Sequence, residues 1–226
     1  MSYFAVIPAS GSGTRFGGKV PKQFLKVNGR EIISYTIKKF ESVEFLKGIV
    51  ISTKPEYFTL ISEIVSKYRF RKIIGIVAGG ETRMVSVLNG LSVLNCRERD
   101  IIAVHDAVRP FLSKSLIVEL YRYCAKYGSV IPALPIPDTV KEIERKNIIK
   151  RTISRENLML AQTPQVFRYG EMMKSYEKAM KDNFIATDES SILEYAGYKV
   201  SIIEGERKNI KITTKEDVKN FNYYNR

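Results

Sequence analysis

The feature that most constrains the fold is an alternation. Short apolar, β-branched runs are separated by segments in which apolar residues recur every three or four positions. Tyr3–Pro8 is a strand-sized run. Over residues 31–40, Ile33, Ile37 and Phe40 fall on one helix face, and the segments 55–68, 81–94 and 113–127 show similar spacing. Strands are expected at 46–52, 72–77, 100–104 and 129–134. Such alternation specifies an α/β domain whose sheet is mostly parallel, with helices on both faces. Ligands of these sheets bind beyond the carboxyl ends of the strands. The loops at Ala9, Val77 and His105 each follow a strand, so they are expected to converge at one edge.

The rhythm breaks after Pro135. Val140-Lys141-Glu142-Ile143-Glu144 alternates with period two, Arg145-Lys146-Asn147 reads as a turn, and residues 148–153 return. This is the pattern of a β-hairpin, here an arm over residues 136–162 inserted into a single domain of residues 1–226. Val140, Ile143, Ile148 and Ile153 would need a covering surface, and a second copy of the chain is the simplest. The pattern then resumes, with helices expected at 170–181 and 188–195. Strands are expected at 199–203 and 210–212, and a last helix at 214–221.

The loop after the first strand reads Ala9-Ser10-Gly11-Ser12-Gly13-Thr14-Arg15-Phe16-Gly17-Gly18. A dinucleotide-binding turn requires glycine where Phe16 stands. An ATPase-type phosphate loop requires a hydroxyl where Val20 stands, and Pro21 interrupts the helix that should follow. Two readings stay open. One is a surface loop with incidental charges. The other is a nucleoside-triphosphate loop, in which glycines admit backbone N–H groups to phosphate oxygens and Arg15 and Lys22, seven residues apart, aim at one phosphate group.

Charge and composition limit the function classes. Lys and Arg number 37 against 24 Asp and Glu, a net charge of +13. That balance suits phosphorylated small molecules, nucleic acid or anionic lipid, and equally a solvated basic shell. No helix carries a sustained basic stripe, so neither a nucleic-acid nor a membrane partner is expected. No stretch approaches the roughly 18 apolar residues of a membrane span. Residues 1–8 lack the features of a signal peptide. Cys96 and Cys124 match no metal spacing, and inert thiols in a reducing cytoplasm are expected.

Several segments, in order, resemble a known family. They are Pro8-Ala9-Ser10-Gly11-Ser12-Gly13-Thr14-Arg15-Phe16, then Pro21-Lys22-Gln23-Phe24-Leu25, then residues 79–87, which open Gly79-Gly80-Glu81-Thr82-Arg83. Val104-His105-Asp106-Ala107-Val108-Arg109-Pro110 and Pro137-Asp138-Thr139-Val140-Lys141 follow, then Arg155 and Gln162-Thr163-Pro164-Gln165-Val166-Phe167. Thr187-Asp188-Glu189-Ser190 and a segment from Gly205 to Thr213 complete the set. Together they resemble the sugar-phosphate nucleotidyltransferases, and within them the family that transfers a cytidylyl group to 2-C-methyl-D-erythritol 4-phosphate in non-mevalonate isoprenoid synthesis. Ser10 departs from the family, which often has alanine there.

The resemblance implies a Rossmann-like α/β nucleotidyltransferase domain with a hairpin arm that interlocks a homodimer. It implies CTP and a sugar-alcohol phosphate as substrates, with a magnesium ion (Mg2+) held by Asp106. It places Arg15, Lys22 and Lys211 on the transition state. It places Pro8, Ala9, Ser10, Gly11, Gly13, Gly79, Gly80, Ser86 and Asp106 on CTP, with backbone groups and the Ser86 hydroxyl facing base and ribose. Arg109, Thr139, Arg155, Thr163 and Lys211 are assigned to the sugar phosphate, with Arg155 reaching the neighbouring subunit's site. His105 is expected to be structural, and Asp188 to support the site. A ribitol 5-phosphate cytidylyltransferase shares the opening loop, Pro-Lys-Gln and Thr-Pro-Gln. The segment from Asp188 to Glu194 looks more like the methylerythritol enzymes.

Overall fold

The computed structural model describes residues 1–11 and 20–224. In chain order the strands and helices are β1 (Tyr3–Pro8), β2 (Lys26–Val27), β3 (Arg30–Glu31), α1 (Ile32–Glu41), β4 (Leu46–Thr53), α2 (Phe58–Tyr68), β5 (Ile73–Ala78) and α3 (Arg83–Ser92). Then come β6 (Ile101–Val104), α4 (Lys114–Tyr127), β7 (Val130–Pro135), β8 (Val140–Ile143), β9 (Ile149–Ile153), β10 (Met159–Ala161) and β11 (Gln165–Arg168). The chain closes with α5 (Tyr169–Lys181), α6 (Glu189–Tyr195), β12 (Ser201–Glu204), α7 (Lys215–Lys219) and α8 (Phe221–Tyr224).

Among the described residues, the central sheet runs β5–β4–β1–β6–β11–β7–β10, with β12 also paired to β7. Ala133 of β7 pairs with both Ala161 and Glu204, and Val130 with both Val166 and Ser201. So β10 and β11 follow one another along one edge of β7, and β12 takes the other. Only that β10–β11 run is antiparallel to its neighbours. The mostly parallel α/β sheet is therefore present as expected.

The strand pattern explains the layers. Ala5 and Ile7 of β1 point to one face, and Val6 to the other. On the first face Ile33, Ile37 and Phe40 of α1, Ile61 and Ile64 of α2, and Leu116, Leu120 and Tyr121 of α4 form one core. Tyr121 is fully buried and donates its hydroxyl to the Phe4 carbonyl at 2.6 Å, so its polar tip is satisfied. On the second face Val87 and Leu91 of α3, Met172 and Tyr176 of α5, and Ile192 and Leu193 of α6 form another. Burial on both faces is why the central strands read as unbroken apolar runs.

Three departures have local causes. Residues 210–212 form no strand. Ile212 donates its N–H to Val108 O at 2.9 Å and is buried in a small core with Ile32, Val108, Phe111 and Phe221. The last helical segment breaks at Asn220 into α7 and α8. Residues 159–161, inside the 136–162 interval, belong to the central sheet as β10. Among the described residues, β8 and β9 pair only with each other, Val140 opposite Ile153 and Ile143 opposite Ile149. On this arm Ile143, Ile148 and Ile149 are all more than half exposed.

Candidate active site

The carboxyl ends of β1, β5 and β6 open on one edge of the sheet, and pairing persists one residue beyond each. Ala9 N–H donates to Ser52 O at 2.7 Å, Gly79 N–H to Thr53 O at 2.8 Å and His105 N–H to Val6 O at 3.0 Å. The first loop leaves from Ala9 and returns through a single helical turn at Lys22–Phe24. Buried Gln23 ties the two ends: its side-chain amide donates to Ala9 O at 2.6 Å and to Gly11 O at 3.1 Å. This brings half-buried Lys22 back to the strand edge. Pro8 and Ser10 are partly buried and Gly11 is exposed. The expected sites Gly13 and Arg15 lie outside the described residues.

The second loop is built against the first. A Cβ at Gly79 would collide with the Ser10 side chain, so this close approach requires glycine. The Ser10 hydroxyl itself donates to Ser52 O at 3.2 Å. Ser86 is buried, and its hydroxyl lies 3.0 Å from Gly80 N and 2.9 Å from Thr82 O. The structure therefore sets the Ser86 hydroxyl against the Gly79–Thr82 backbone, where it closes the loop.

Asp106 is the electrostatic centre. It is 7% exposed, and three cations meet its carboxylate. Arg83 Nε is 3.3 Å from Oδ1, Arg109 Nε is 3.4 Å from Oδ2, and Lys211 Nζ is 2.9 Å from Oδ2. Burial alone would raise the Asp106 pKa, but Arg83, Lys211 and Arg109 outweigh it and hold the carboxyl well below the usual range. Arg83 also carries an end-on pair with buried Glu189, at 2.6 and 3.0 Å. Burial lifts Glu189 above the ordinary carboxylate range although Arg83 pulls the other way. Three cations against two carboxylates leave this cluster net positive, which suits a polyanionic ligand.

Beneath Asp106 lies a polar support. Thr163 Oγ1 accepts the Asp106 N–H at 3.1 Å and lies 2.9 Å from His105 Nδ1, while His105 Nε2 is 3.1 Å from Arg109 O. A carbonyl only accepts, so the His105 proton belongs on Nε2 and Nδ1 accepts from Thr163. Complete burial pulls the imidazole pKa down to about 4. His105 is therefore neutral, with both nitrogens occupied, in keeping with its expected structural place. Asp188 accepts hydrogen bonds from Ser191 N and the Gln165 amide as the N-cap of α6.

The structure thus joins Asp106, Arg109, Thr163 and Lys211 in one network. Arg109 also donates to Asn209 O at 2.8 Å. Thr139 and Arg155 are exposed on the arm, and Arg155 donates to Pro137 O. Neither hydrogen bonds to the Asp106 network. Sequence reasoning gave no role to Arg83, Glu189 or Gln23, although all three stand in motifs that it singled out. Nothing local pairs Arg83 with a residue so far along the chain.

Among the described residues, no cluster of three or more His, Cys, Asp or Glu is placed to hold a metal. A hard divalent cation does not require one. Magnesium is commonly held by one or two carboxylates together with substrate phosphates and water. Asp106, ionised at the sheet edge, supplies the one carboxylate of such a set; both its oxygens are paired here with Arg83, Arg109 and Lys211, so a cation would take the place of one of these contacts. Among the described residues no helix is long and apolar enough to cross a membrane.

Comparison with known proteins identifies the family. Residues 3–226 match the family model described as "IspD: 2-C-methyl-D-erythritol 4-phosphate cytidylyltransferase". A curated relative with that activity as its name, from Caldanaerobacter subterraneus subsp. tengcongensis, is 38% identical over 96% of this chain and 96% of its own. Another, from Thermosipho melanesiensis, is 40% identical over 95% of this chain and 93% of its own. The crystal structure of the Francisella tularensis enzyme of the same name superposes with a TM-score of 0.85 at 34% identity, covering 99% of this chain and all of that one.

Proposed function

Since the chain belongs to the 2-C-methyl-D-erythritol 4-phosphate cytidylyltransferase family, we infer that it joins CTP and 2-C-methyl-D-erythritol 4-phosphate. The products are 4-diphosphocytidyl-2-C-methyl-D-erythritol and pyrophosphate. The observation that carries this reading is the set of three cations on Asp106, beside the first loop, at the carboxyl edge of a parallel sheet. A site for two phosphorylated substrates needs positive charge held in advance, because its main task is to bring anions together.

The reaction is in-line attack by a substrate phosphate oxygen on the α-phosphorus of CTP. A phosphate monoester, with a second pKa near ~6, is largely dianionic at neutral pH. It therefore needs no general base, consistent with an imidazole at His105 whose nitrogens are both occupied. Lys22 and Arg15 stabilise the charge that spreads over the α-phosphate, and Lys211 shares that task. Backbone groups from Ala9 to Gly11 and at Gly79 and Gly80 read the cytosine. Arg109, Thr163 and Lys211 receive the sugar phosphate. Asp106 is the residue that would hold Mg2+, which when bound offsets triphosphate charge.

The arm completes the site from a second copy. Its exposed Ile143, Ile148 and Ile149 support a homodimer interface, and Arg155 and Thr139 of one subunit serve the other's sugar phosphate. The cytoplasm is the proposed location, and the free thiols Cys96 and Cys124 suit a reducing compartment.

The test is pyrophosphate release with CTP and Mg2+, comparing 2-C-methyl-D-erythritol 4-phosphate with ribitol 5-phosphate, and CTP with UTP and ATP. Release is expected only with CTP and the methylerythritol phosphate. Release with ribitol 5-phosphate alone would reassign the substrate. No release from folded protein with either acceptor would overturn the reading.

A further inference from the structure

Arg83 divides its guanidinium between two carboxylates in a fixed way. Its Nη1 and Nη2 grip Glu189 Oε1 and Oε2 at 2.6 and 3.0 Å. That end-on fork leaves Nε–H for Asp106 Oδ1, at 3.3 Å. The tighter partner is the one remote from solvent, since Glu189 is 0% exposed. We propose that Glu189 is a positioning residue for the transfer reaction: it locks the plane of Arg83, and Arg83 in turn fixes the carboxylate of Asp106. This inference rests on the reading of Asp106 as part of the nucleotide site.

Glu189 is itself held from several sides. It opens α6, where the positive end of the helix favours a carboxylate. The cap before it is closed by Asp188 and Ser191 in a reciprocal capping box. Gln165 of β11 clamps that cap, donating to Asp188 Oδ2 at 2.7 Å and accepting from Ser190 N–H at 2.8 Å. Buried Tyr176 of α5 stands near enough for its phenol to feel both Glu189 and Arg83. Arg83 likewise opens α3, behind the Thr82 cap. The guanidinium therefore spans two helix starts, and its free edge is aimed rather than floating.

Stability alone is a weak reason for such a pair. Buried ion pairs often add little compared with apolar packing of the same volume. Placement of a charged group near the reacting phosphates has a larger consequence, because a displacement of about 1 Å can cost about a hundredfold in rate.

The experiment uses the full chain carrying Glu189→Gln, the double change Arg83→Gln with Glu189→Gln, or Glu189→Asp, with Asp106→Asn as a reference. Thermal melting reports folding, and steady-state kinetics separate kcat from KM. The double change removes both charges of the pair, so it guards against a Glu189→Gln variant that fails to fold. Each folded variant lacking the two-bond grip is expected to lose about a hundredfold in kcat, with KM for methylerythritol 4-phosphate little changed. Glu189→Asp keeps the charge and is expected to regain part of the loss. A purely structural role would instead make activity follow melting temperature. Wild-type kcat in the folded double variant would overturn the inference. If Asp106→Asn also kept wild-type turnover, the reading of the site would fall with it. If Asp106→Asn lost turnover, only the positioning role would fall.

Discussion

Lys211 Nζ lies 2.9 Å from Asp106 Oδ2, joining the segment after β12 to the loop after β6. The lysine side chain is 41% exposed and the aspartate 9%. The buried partner is thus fixed, while the lysine keeps room to turn toward an incoming phosphate. A Lys211→Ala variant is expected to lose about a hundredfold or more in kcat at saturating substrates. Its melting temperature should change little, because Arg83 and Arg109 still hold the buried Asp106 carboxylate once the lysine is gone. A large drop in melting temperature with near-normal kcat would make Lys211 a counter-ion for Asp106 and nothing more.

The first loop makes a second expectation. Gln23 pins the returning end of the loop to Ala9 and Gly11, and Lys22 is its neighbour. Lys22→Ala is expected to cut turnover by about a hundredfold or more, and Arg15→Ala similarly. Gln23→Ala should also slow turnover without altering any charge, since it frees the loop that carries Lys22. Near-normal rates for folded Lys22→Ala would count against the transition-state role.

His105 gives a pH expectation. Burial holds its folded pKa at about 4, below the ordinary value of 6.5. As pH falls, the unfolded chain therefore takes up this proton first. The stability tied to the neutral imidazole is whole above about pH 6.5 and is lost between there and about pH 4, by up to about 3 kcal/mol. Melting curves of the wild type and His105→Gln between pH 7 and pH 5 test this. The wild type should weaken more steeply. Parallel curves would show that His105 is not the group responsible.

The arm allows a complementation test. If each site uses its own Lys22 and its partner's Arg155, a mixed dimer of Lys22→Ala and Arg155→Ala subunits contains one intact site. Verified mixed dimers should recover about half of wild-type activity per dimer, from two nearly inactive parents. No recovery would place Arg155 in its own subunit's site or outside the chemistry. Separately, Ile149→Asp should shift the protein toward monomer in light scattering if the exposed arm residues cover one another.

Much of this architecture was legible because its signals are local. β1 is an unbroken apolar run because both its faces are buried. Ile33, Ile37 and Phe40 mark α1 because one stripe of a helix meets the sheet. The Ile-Lys-Ile at 210–212 misleads for the same reason. Its period of two looks like a strand, yet it caps a small core and gives one N–H to Val108. β10 escaped notice because Met159-Leu160-Ala161 is short and exposed, and only its pairing with β7 makes it a strand. The β2–β3 hairpin did have a local sign, since Asn28 and Gly29 both take positive φ in its two-residue turn. In the site, the loop glycines and Asp106 stood out by position after strands. The Arg83–Glu189 grip did not, because residues so far apart in sequence share no pattern until the fold brings α3 and α6 together.

Asp106 joins every part of this account: Lys211, Arg109 and Arg83 meet its carboxylate, and Thr163 and His105 support it from below. The most direct measurement is kcat for folded Asp106→Asn, with CTP, Mg2+ and methylerythritol 4-phosphate at saturation. The change removes one charge and keeps the shape of the side chain. A loss of about a hundredfold or more is expected, with a melting temperature that shows an intact fold. Turnover within a few-fold of wild type would contradict the placement of the chemistry at this edge of the sheet.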